Sequence, residues 1–224
     1  MSSRYEIEIK SLLGDEQNAE RLRQALLKNN KDAFVSKYRQ LNHYFTGGNL
    51  LEFSKRIMSV LPASRHEAFS NIVSNGKNIS VRTRDTDGRI ILVIKASIDD
   101  TTSSNGISRM EFEHEMDMTL DELDRLLLSA GFEYQAKWSR EREEYVHDGV
   151  NISIDKNAGY GYLAEFEKVI TSATEAEKAK NELRSLMGTF GAEELAQDRL
   201  ERMFAYYNAN WREYYGTENT FIVE

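Results

Sequence analysis

The stretch 4–10, RYEIEIK, alternates charged and apolar side chains residue by residue. Successive side chains of a β-strand point to opposite faces of a sheet, so Glu6, Glu8 and Lys10 share one face while Ile7 and Ile9 share the other. An apolar face of this kind can pack against a hydrophobic core. The pattern therefore predicts a first strand with one buried face and one densely charged face.

The same alternation recurs along the chain, and seven predicted strands carry a charged face. The charged positions that follow the first strand are Arg82, Arg84, Arg89, Lys95, Arg109, Glu111, Glu113, Glu115, Asp117, Arg140, Arg142, Asp155, Glu165 and Glu167. A half-buried antiparallel sheet with a solvated polar face explains any single strand of this kind. It explains the whole set less well, because a solvated face normally also mixes in many Ser, Thr and Gln residues.

The predicted elements give an α+β fold. Strands are expected near 4–10, 33–46, 79–86, 89–97, 107–117, 140–147, 150–156 and 162–170. Helices are expected over 15–29, 50–61, 65–74, 120–130, 172–187 and 192–215. Most neighbouring strands are joined as hairpins, and the Gly/Ser/Thr-rich stretch 99–106 is expected to be a hairpin loop. These patterns predict an eight-stranded antiparallel β-barrel with helices packed on the outside.

The charged faces also indicate a chemistry. Two carboxylates about 4 Å apart repel each other by about 4 kcal/mol at an effective dielectric constant of about 20. Placing Glu6, Glu8, Asp155, Glu165 and Glu167 together is therefore unfavourable unless a divalent cation lies among them. Clustered arginines in turn favour a polyanion, since the planar guanidinium matches phosphate oxygens. The two sets together predict a metal–polyphosphate site inside the barrel.

Composition and charge exclude several classes of protein. The chain has 224 residues, a formal charge of −8 and no cysteine, which excludes a disulfide scaffold, a thiolate zinc site and a cysteine nucleophile. It has no apolar run of about 18 residues and no apolar core of a signal peptide near its N-terminus. A net-acidic chain is a poor candidate for binding duplex nucleic acid. We therefore expect a cytoplasmic protein that binds neither membrane nor duplex.

Several segments, taken in order, resemble the CYTH domain of the triphosphate tunnel metalloenzymes. Residues 6–10, EIEIK, match the N-terminal Glu-x-Glu-x-Lys signature of that family. The segments that match its later strands are QLNHYF (40–45), VRTR (81–84), ILVIK (91–95), EFE (111–113), REREEY (140–145), ISID (152–155) and GYGYLAEFE (159–167). Their shared order over residues 4–170 makes the resemblance specific, which a single Glu-x-Glu-x-Lys would not be.

The resemblance implies a tunnel fold, an activity and a set of site residues. The family folds as an eight-stranded antiparallel tunnel and acts on triphosphates with Mg²⁺ or Mn²⁺. At the matching positions, the implied metal ligands are Glu6, Glu8, Asp155, Glu165 and Glu167. The implied phosphate-binding residues are Lys10, Arg82, Arg84, Lys95, Arg140 and Arg142. Glu6, Glu8 and Lys10 are the expected catalytic residues, whereas Glu111 and Glu113 would line the tunnel without an assigned role.

The resemblance also sets the expected domain limits. The tunnel domain would span 1–190 and contain a helical insert at about 47–78, which compact members of the family lack. Residues 191–224 would form a C-terminal helical extension packed on the barrel. The insert is expected to rest on the barrel, and whether it gates substrate is left open.

The expected activity is hydrolysis of a triphosphate by water attack on the terminal phosphate of inorganic tripolyphosphate or a small organic triphosphate. One alternative is an adenylyl cyclase of the class IV type, which converts ATP to cyclic AMP and pyrophosphate. Another is a non-catalytic protein that binds polyphosphate or nucleotide. The partner is a small molecule that contains a triphosphate, and the oligomeric state is left open, a homodimer included. No His-Glu-x-x-His spacing and no P-loop sequence offers a competing site.

Overall fold

The computed structural model describes residues 5–97 and 109–223, which form eight strands and six α-helices. The strands are β1 (Tyr5–Gly14), β2 (Phe34–Gly47), β3 (Lys77–Thr86), β4 (Arg89–Ser97), β5 (Arg109–Glu115), β6 (Phe132–His147), β7 (Val150–Asn157) and β8 (Gly161–Ile170). The helices are α1 (Glu16–Asn29), α2 (Leu50–Ile57), α3 (Ala63–Asn75), α4 (Leu120–Ser129), α5 (Ala176–Thr189) and α6 (Gln197–Tyr214). The predicted loop 99–106 and the first two residues of the strand predicted at 107–117 lie outside the described residues.

All eight strands belong to one sheet, in the order β1-β8-β7-β6-β2-β3-β4-β5. The ladders β1–β8, β8–β7, β7–β6, β2–β3, β3–β4 and β4–β5 are antiparallel. The predicted α+β fold with eight antiparallel strands is thus confirmed. Closure into a barrel would require a ladder between β1 and β5, which stand at the two ends of this order, so the sheet is not closed within the described part of the chain.

Strand β6 departs most from its predicted limits. The sequence predicts a strand from about 140, whereas β6 begins at Phe132 and has 16 residues. Residues 132–138, FEYQAKW, alternate apolar and polar side chains and so carry the same period-two signal as the other strands. Gly131, with φ at 82°, ends α4 in the left-handed conformation typical of helix C-termini. Gly131 therefore lies at the boundary between α4 and β6.

The described residues divide into two compact units, each with its own core. The first unit contains residues 5–39 and 139–223, and the second contains 40–97 and 109–138. Strands β2 and β6 each contribute one part to the first unit and one part to the second. No helix formed by the described residues is long and apolar enough to cross a membrane.

The core of the first unit lies between the sheet and helices α1 and α5. Ile7 and Ile9 of β1 are both fully buried there, as the alternation in β1 predicts. Leu26 of α1 and Leu183 of α5 pack in the same cluster. Helix α1 is capped at its N-terminus by Asp15, whose side chain accepts a hydrogen bond from the backbone N–H of Asn18 at 2.8 Å. The apolar face of the first strand is therefore covered by helices, which leaves its charged face on the other side of the sheet.

Helix α6 and the segment after it pack against the turn between β7 and β8. Tyr207 of α6 is fully buried, with its ring centroid 6.2 Å from that of Tyr160 in this turn. The N–H of Gly159 donates to the carbonyl of Asn219 at 2.8 Å, and the N–H of Phe221 donates to the carbonyl of Gly159 at 2.5 Å. A Cβ at position 159 would lie 2.7 Å from the Tyr207 ring, so only glycine fits this close approach. Leu200, Met203, Tyr207 and Tyr214 of α6 are thus buried within the first unit.

The core of the second unit contains the helical insert. Phe53 of α2 and Phe69 of α3 are fully buried, with their ring centroids 6.2 Å apart. Phe69 also meets Phe112 of β5 edge to face at 5.3 Å. Ile57 of α2 and Ile72 of α3 are buried in the same cluster. The insert predicted at about 47–78 therefore contributes buried side chains to the hydrophobic core of the second unit.

Candidate functional site

The charged face of the first unit is assembled by the pairing of β1 with β8. In this antiparallel register Glu8 lies opposite Glu167, and Lys10 lies opposite Glu165. Opposed residues on neighbouring strands have their Cβ atoms about 5 Å apart and point to the same face of the sheet. Two predicted site segments that are far apart in the sequence thus become direct neighbours.

Glu165 lies between two cations. The Lys10 Nζ is 3.5 Å from one of its carboxylate oxygens, and the Arg142 Nη2 donates to the other at 2.5 Å. Lys10 also forms an ion pair with Glu8. Burial alone would raise the pKa of Glu165, but the charges of Arg142, Lys10 and Arg140 outweigh burial and hold this pKa well below its ordinary value. Glu165 is therefore a carboxylate throughout the neutral pH range.

Asp155 of β7 is held by two arginines of β6. Its Oδ2 accepts hydrogen bonds from Arg140 Nη1 at 2.7 Å and from Arg142 Nη2 at 2.6 Å, and its Oδ1 accepts one from Arg142 Nε at 2.7 Å. Burial alone would lower the pKa of Arg142, but the charges of Asp155 and Glu165 raise it well above its ordinary value. One predicted metal ligand and two predicted phosphate ligands are thus in direct contact.

The carboxylates that best suit a divalent cation are Glu8 and Glu167. Like charges directly opposite each other destabilise a sheet, and oxygen ligands are those that Mg²⁺ and Mn²⁺ prefer. Glu6 shares their face by strand alternation. Among the described residues, no group of three or more Asp, Glu, His or Cys side chains stands ready to hold a metal ion. Glu6, Glu8 and Glu167 have the oxygen donors that such a cation prefers but are not gathered into a ready site, whereas Asp155 and Glu165 are engaged by arginine.

The second unit carries its own charged cluster on β3, β4 and β5. Arg84 Nε donates to Asn42 Oδ1 at 2.9 Å, and its Nη1 donates to Glu113 Oε1 at 3.2 Å. The Lys95 Nζ lies 2.8 Å from Glu111 Oε1. Burial alone would raise the pKa of Glu111, but the charge of Lys95 and its hydrogen bond lower it below the ordinary value. Four of the predicted residues of this part of the chain therefore form two cation–carboxylate pairs, Arg84–Glu113 and Lys95–Glu111.

Arg82 is supported by aromatic rings. Its guanidinium lies 4.6 Å from the centroid of the Tyr44 ring, and its Nη1 donates to the Tyr44 hydroxyl at 3.1 Å. Tyr44 in turn contacts Trp138, with ring centroids 6.0 Å apart. The Arg82 Nε is buried and has no hydrogen-bond partner among the described residues. Trp138 was not predicted as a neighbour of this site, because it lies in the part of β6 that the predicted strand does not include.

A buried polar network lies on the opposite face of β3 from its two arginines. The carboxylate of Asp124, in α4, lies 2.7 Å from His43 Nδ1 and accepts hydrogen bonds from the hydroxyls of Thr83 and Tyr134, each at 2.6 Å. Burial alone would raise the pKa of Asp124, but these hydrogen bonds lower it below its ordinary value. Sequence reasoning missed this network. The sequence feature that could have indicated it is Asp124, an acidic residue on the apolar face of the helix predicted over 120–130.

A second group that sequence reasoning missed lies in the first unit. Tyr38 donates a hydrogen bond to Glu144 Oε1 at 2.5 Å, and Ser36 donates to Glu144 Oε2 at 2.8 Å. Burial, together with this hydrogen bond, raises the pKa of Tyr38 to about 12. Glu144 shares a strand face with Arg140 and Arg142, so the alternation of β6 is the signal that indicates it.

The fold is similar to several solved structures. The PH1819 protein of Pyrococcus horikoshii OT3 aligns with a TM-score of 0.63 and 21% identity over 90% of this chain and 99% of its own. A Vibrio parahaemolyticus protein described as a "putative adenylate cyclase" aligns with a TM-score of 0.60 and 12% identity over 91% and 99%. A Hippeastrum protein described as a "putative adenylyl cyclase" with a dominant triphosphatase activity aligns with a TM-score of 0.52 and 18% identity over 90% and 96%. No model of a known protein family and no curated protein matches the sequence.

The strand order and the structural neighbours lead to the same fold. The neighbours from Vibrio parahaemolyticus and Hippeastrum are matched over nearly their whole length. The eight antiparallel strands place the two Glu-x-Glu segments of β1 and β8 side by side, with Glu8 opposite Glu167. The chain has the fold of the CYTH domain, that of the triphosphate tunnel metalloenzymes.

Proposed function

We propose that the chain is a divalent-metal-dependent triphosphatase that hydrolyses inorganic tripolyphosphate or a small organic triphosphate. The observation that carries this proposal is the position of Glu8 directly opposite Glu167, beside the Lys10–Glu165 pair. A carboxylate pair next to cations suits a metal-bound polyphosphate. Simple binding of an anion would not need acidic residues at these positions, because they repel it.

Three of the four glutamates on the face shared by β1 and β8 would hold Mg²⁺ or Mn²⁺. They are Glu6, Glu8 and Glu167. When bound, such a cation neutralises phosphate charge and lowers the pKa of a coordinated water. Lys10, which forms ion pairs with Glu8 and Glu165, would then contact a phosphate oxygen beside these carboxylates.

The arginines would bind the phosphate oxygens and stabilise the charge that develops during transfer. Arg142 stays protonated at any working pH, because Asp155 and Glu165 raise its pKa. Each hydrogen bond from a charged donor contributes about 1.5–3 kcal/mol. We assign the same role to Arg82, Arg84 and Lys95 in the second unit. Arg82 retains a buried Nε donor with no partner in the described part of the chain.

The reaction would be an in-line displacement at phosphorus. Water attacks the terminal phosphorus, the bond from that phosphorus to the bridging oxygen breaks, and orthophosphate and the diphosphate product leave. Catalysis of this kind depends on positioning and charge neutralisation more than on covalent chemistry. Hydrolysis is preferred over cyclisation of ATP because the matched residues bind metal or phosphate and none of them requires adenine. The triphosphatase activity described for the Hippeastrum protein is in line with this preference.

Phosphorus NMR tests the proposal. The protein is incubated with Mg²⁺ or Mn²⁺ and with tripolyphosphate, thiamine triphosphate or ATP, and the products are identified. Release of orthophosphate supports the proposal, and its persistence after exhaustive chelation would contradict the metal requirement. Cyclic AMP with intact pyrophosphate would identify a cyclase instead. If no substrate turns over while tripolyphosphate still raises the melting temperature, the chain is a polyphosphate-binding protein.

A further inference from the structure

We infer that Asp155 is a positioning residue, which fixes Arg140 and Arg142 for phosphate binding and does not ligate the metal. The inference rests on the proposed function and departs from the ligand role that the family resemblance implies for this residue. If it holds, the metal depends on Glu6, Glu8 and Glu167 alone, and the phosphate site depends on an aspartate that touches neither metal nor substrate.

The hydrogen bonds of Asp155 are the first support. Both carboxylate oxygens accept from guanidinium nitrogens, three bonds in all, at 2.6 to 2.7 Å. A carboxylate offers about four lone-pair directions, so most of its accepting capacity is used. The bonds to Arg142 involve Nε and Nη2, the side-on bidentate geometry in which arginine and carboxylate pair best. About one accepting direction is left, on Oδ1, so a metal ion could bind both oxygens only by displacing a guanidinium.

The surroundings of Asp155 are the second support. Its side chain is 0% exposed. The register places Leu163 of β8 opposite Asp155, and Leu12 of β1 opposite Leu163. Mg²⁺ loses its water reluctantly and usually keeps several water ligands, which a fully buried position beside leucines does not provide for. Glu8, whose side chain is 29% exposed, lies in a row of the sheet that solvent can reach.

The arrangement also explains what Asp155 contributes to binding. The three hydrogen bonds that Arg142 makes to Asp155 and Glu165 use Nε and Nη2 and do not use Nη1. One edge of the planar guanidinium is thus fixed by protein, and the remaining nitrogen is held in a defined place to meet an anion. A donor that is ordered before binding loses less freedom when phosphate arrives. Removing Asp155 should therefore weaken phosphate binding through the arginines.

Two binding titrations separate this role from that of a metal ligand. Mn²⁺ binding is measured by electron paramagnetic resonance without phosphate, and tripolyphosphate binding is measured by calorimetry in metal-free buffer. For Asp155→Asn we expect Mn²⁺ affinity within about twofold of the wild type and tripolyphosphate affinity reduced about tenfold or more. Glu167→Gln, the matched change in a proposed metal ligand, should lose Mn²⁺ affinity instead. A loss of Mn²⁺ affinity in Asp155→Asn equal to that in Glu167→Gln overturns the inference.

A measurement on the wild type covers the case in which Asp155→Asn does not fold. Carboxyl carbons of Asp and Glu are followed by carbon NMR during a Mg²⁺ titration. We expect the signals of Glu8 and Glu167 to shift and that of Asp155 to stay in place, whereas a shift of the Asp155 signal equal to theirs overturns the inference. Wild-type protein that binds tripolyphosphate without hydrolysing it contradicts the proposed function alone. Wild-type protein that binds Mn²⁺ but not tripolyphosphate contradicts both.

Discussion

Glu8 of β1 and Glu167 of β8 face each other across an antiparallel ladder. Directly opposed like charges cost a sheet roughly 0.2–1 kcal/mol. Lys10 and Asn151 each contact one of the two, by an ion pair with Glu8 and a hydrogen bond to Glu167 at 3.3 Å. The pair is therefore tolerated in the folded chain but remains a position at which added positive charge would be stabilising.

The substitution Glu167→Gln should abolish activity without lowering the stability of the metal-free protein. In metal-free buffer we expect stability equal to the wild type or higher by up to about 1 kcal/mol, because one repulsive charge is gone. Stabilisation by Mg²⁺ should disappear, since a ligand stabilises only the state that binds it. Tripolyphosphate turnover should fall by orders of magnitude. Thermal unfolding with and without Mg²⁺, together with phosphate release, measures all three effects.

The control for this change is Glu182→Gln in α5. Glu182 is a partly exposed carboxylate that pairs with Lys168. The Glu182→Gln substitution should leave unchanged both the rise in melting temperature caused by Mg²⁺ and the turnover of tripolyphosphate. A Mg²⁺-induced rise in melting temperature that is as large in Glu167→Gln as in the wild type would contradict the metal assignment.

Arg142→Lys should lose affinity for tripolyphosphate although the charge is kept. Lysine cannot reproduce the side-on pair of hydrogen bonds that Arg142 makes with Asp155. We expect affinity about tenfold or more below the wild type, the equivalent of one charge-assisted hydrogen bond. Arg184→Lys, which alters an exposed arginine paired with Glu194, is the matched control and should change nothing. Wild-type affinity in Arg142→Lys would show that the arginine geometry is not used.

The sequence predicts the faces of the strands well, because alternation along a strand depends only on local geometry. Ile7 and Ile9 are buried and Glu8 lies on the charged face, as the stretch 4–10 indicates. The sequence also predicts that Glu8 and Glu167 belong to one metal site, but it does not predict that the two residues pair directly across β1 and β8. The existence of a strand, and the face on which each of its side chains lies, can thus be predicted from the sequence.

The sequence does not predict which group each charged side chain contacts. Whether Asp155 binds an arginine or a metal ion depends on side-chain rotamers and on the register between β6 and β7. Alternation along a strand does not specify either of them. The network around Asp124 depends on how α4 docks on β3, a contact between segments that are separated in the sequence. Alternation fixes the side of the sheet on which a charge lies, while tertiary packing decides what it binds.

Phe69→Ala should destabilise the protein although it lies in the insert. Phe69 is fully buried between Phe53 and Phe112. Truncation of a buried phenylalanine to alanine costs about 3–5 kcal/mol, since transfer free energy is lost and a cavity remains. Leu51→Ala, at an exposed position of α2, should stay within about 0.5 kcal/mol of the wild type. Urea unfolding of the two variants measures this difference in stability. Equal unfolding midpoints would mean that the insert does not contribute to the hydrophobic core.

Asp124→Asn should destabilise the second unit in a pH-dependent way. The carboxylate is 1% exposed and interacts with His43, Thr83 and Tyr134. An amide in its place leaves buried groups mispaired, at a cost of about 3 kcal/mol at neutral pH. Asp117→Asn, at an exposed position just before α4, is the control and should have little effect.

The direction of the pH dependence follows from the lowered pKa of Asp124. A carboxyl whose pKa is lower in the folded state than in the unfolded state binds fewer protons when folded, so its contribution to stability is complete above the unfolded pKa, near 3.9. This contribution is lost as the pH falls from there through the folded pKa. The stability difference between the wild type and Asp124→Asn should therefore be constant from pH 7 to about pH 5 and shrink below about pH 4. Urea unfolding of both proteins across this range measures the difference. A gap that widens toward acid pH would mean that Asp124 is protonated in the folded chain, and that the network is held by neutral hydrogen bonds.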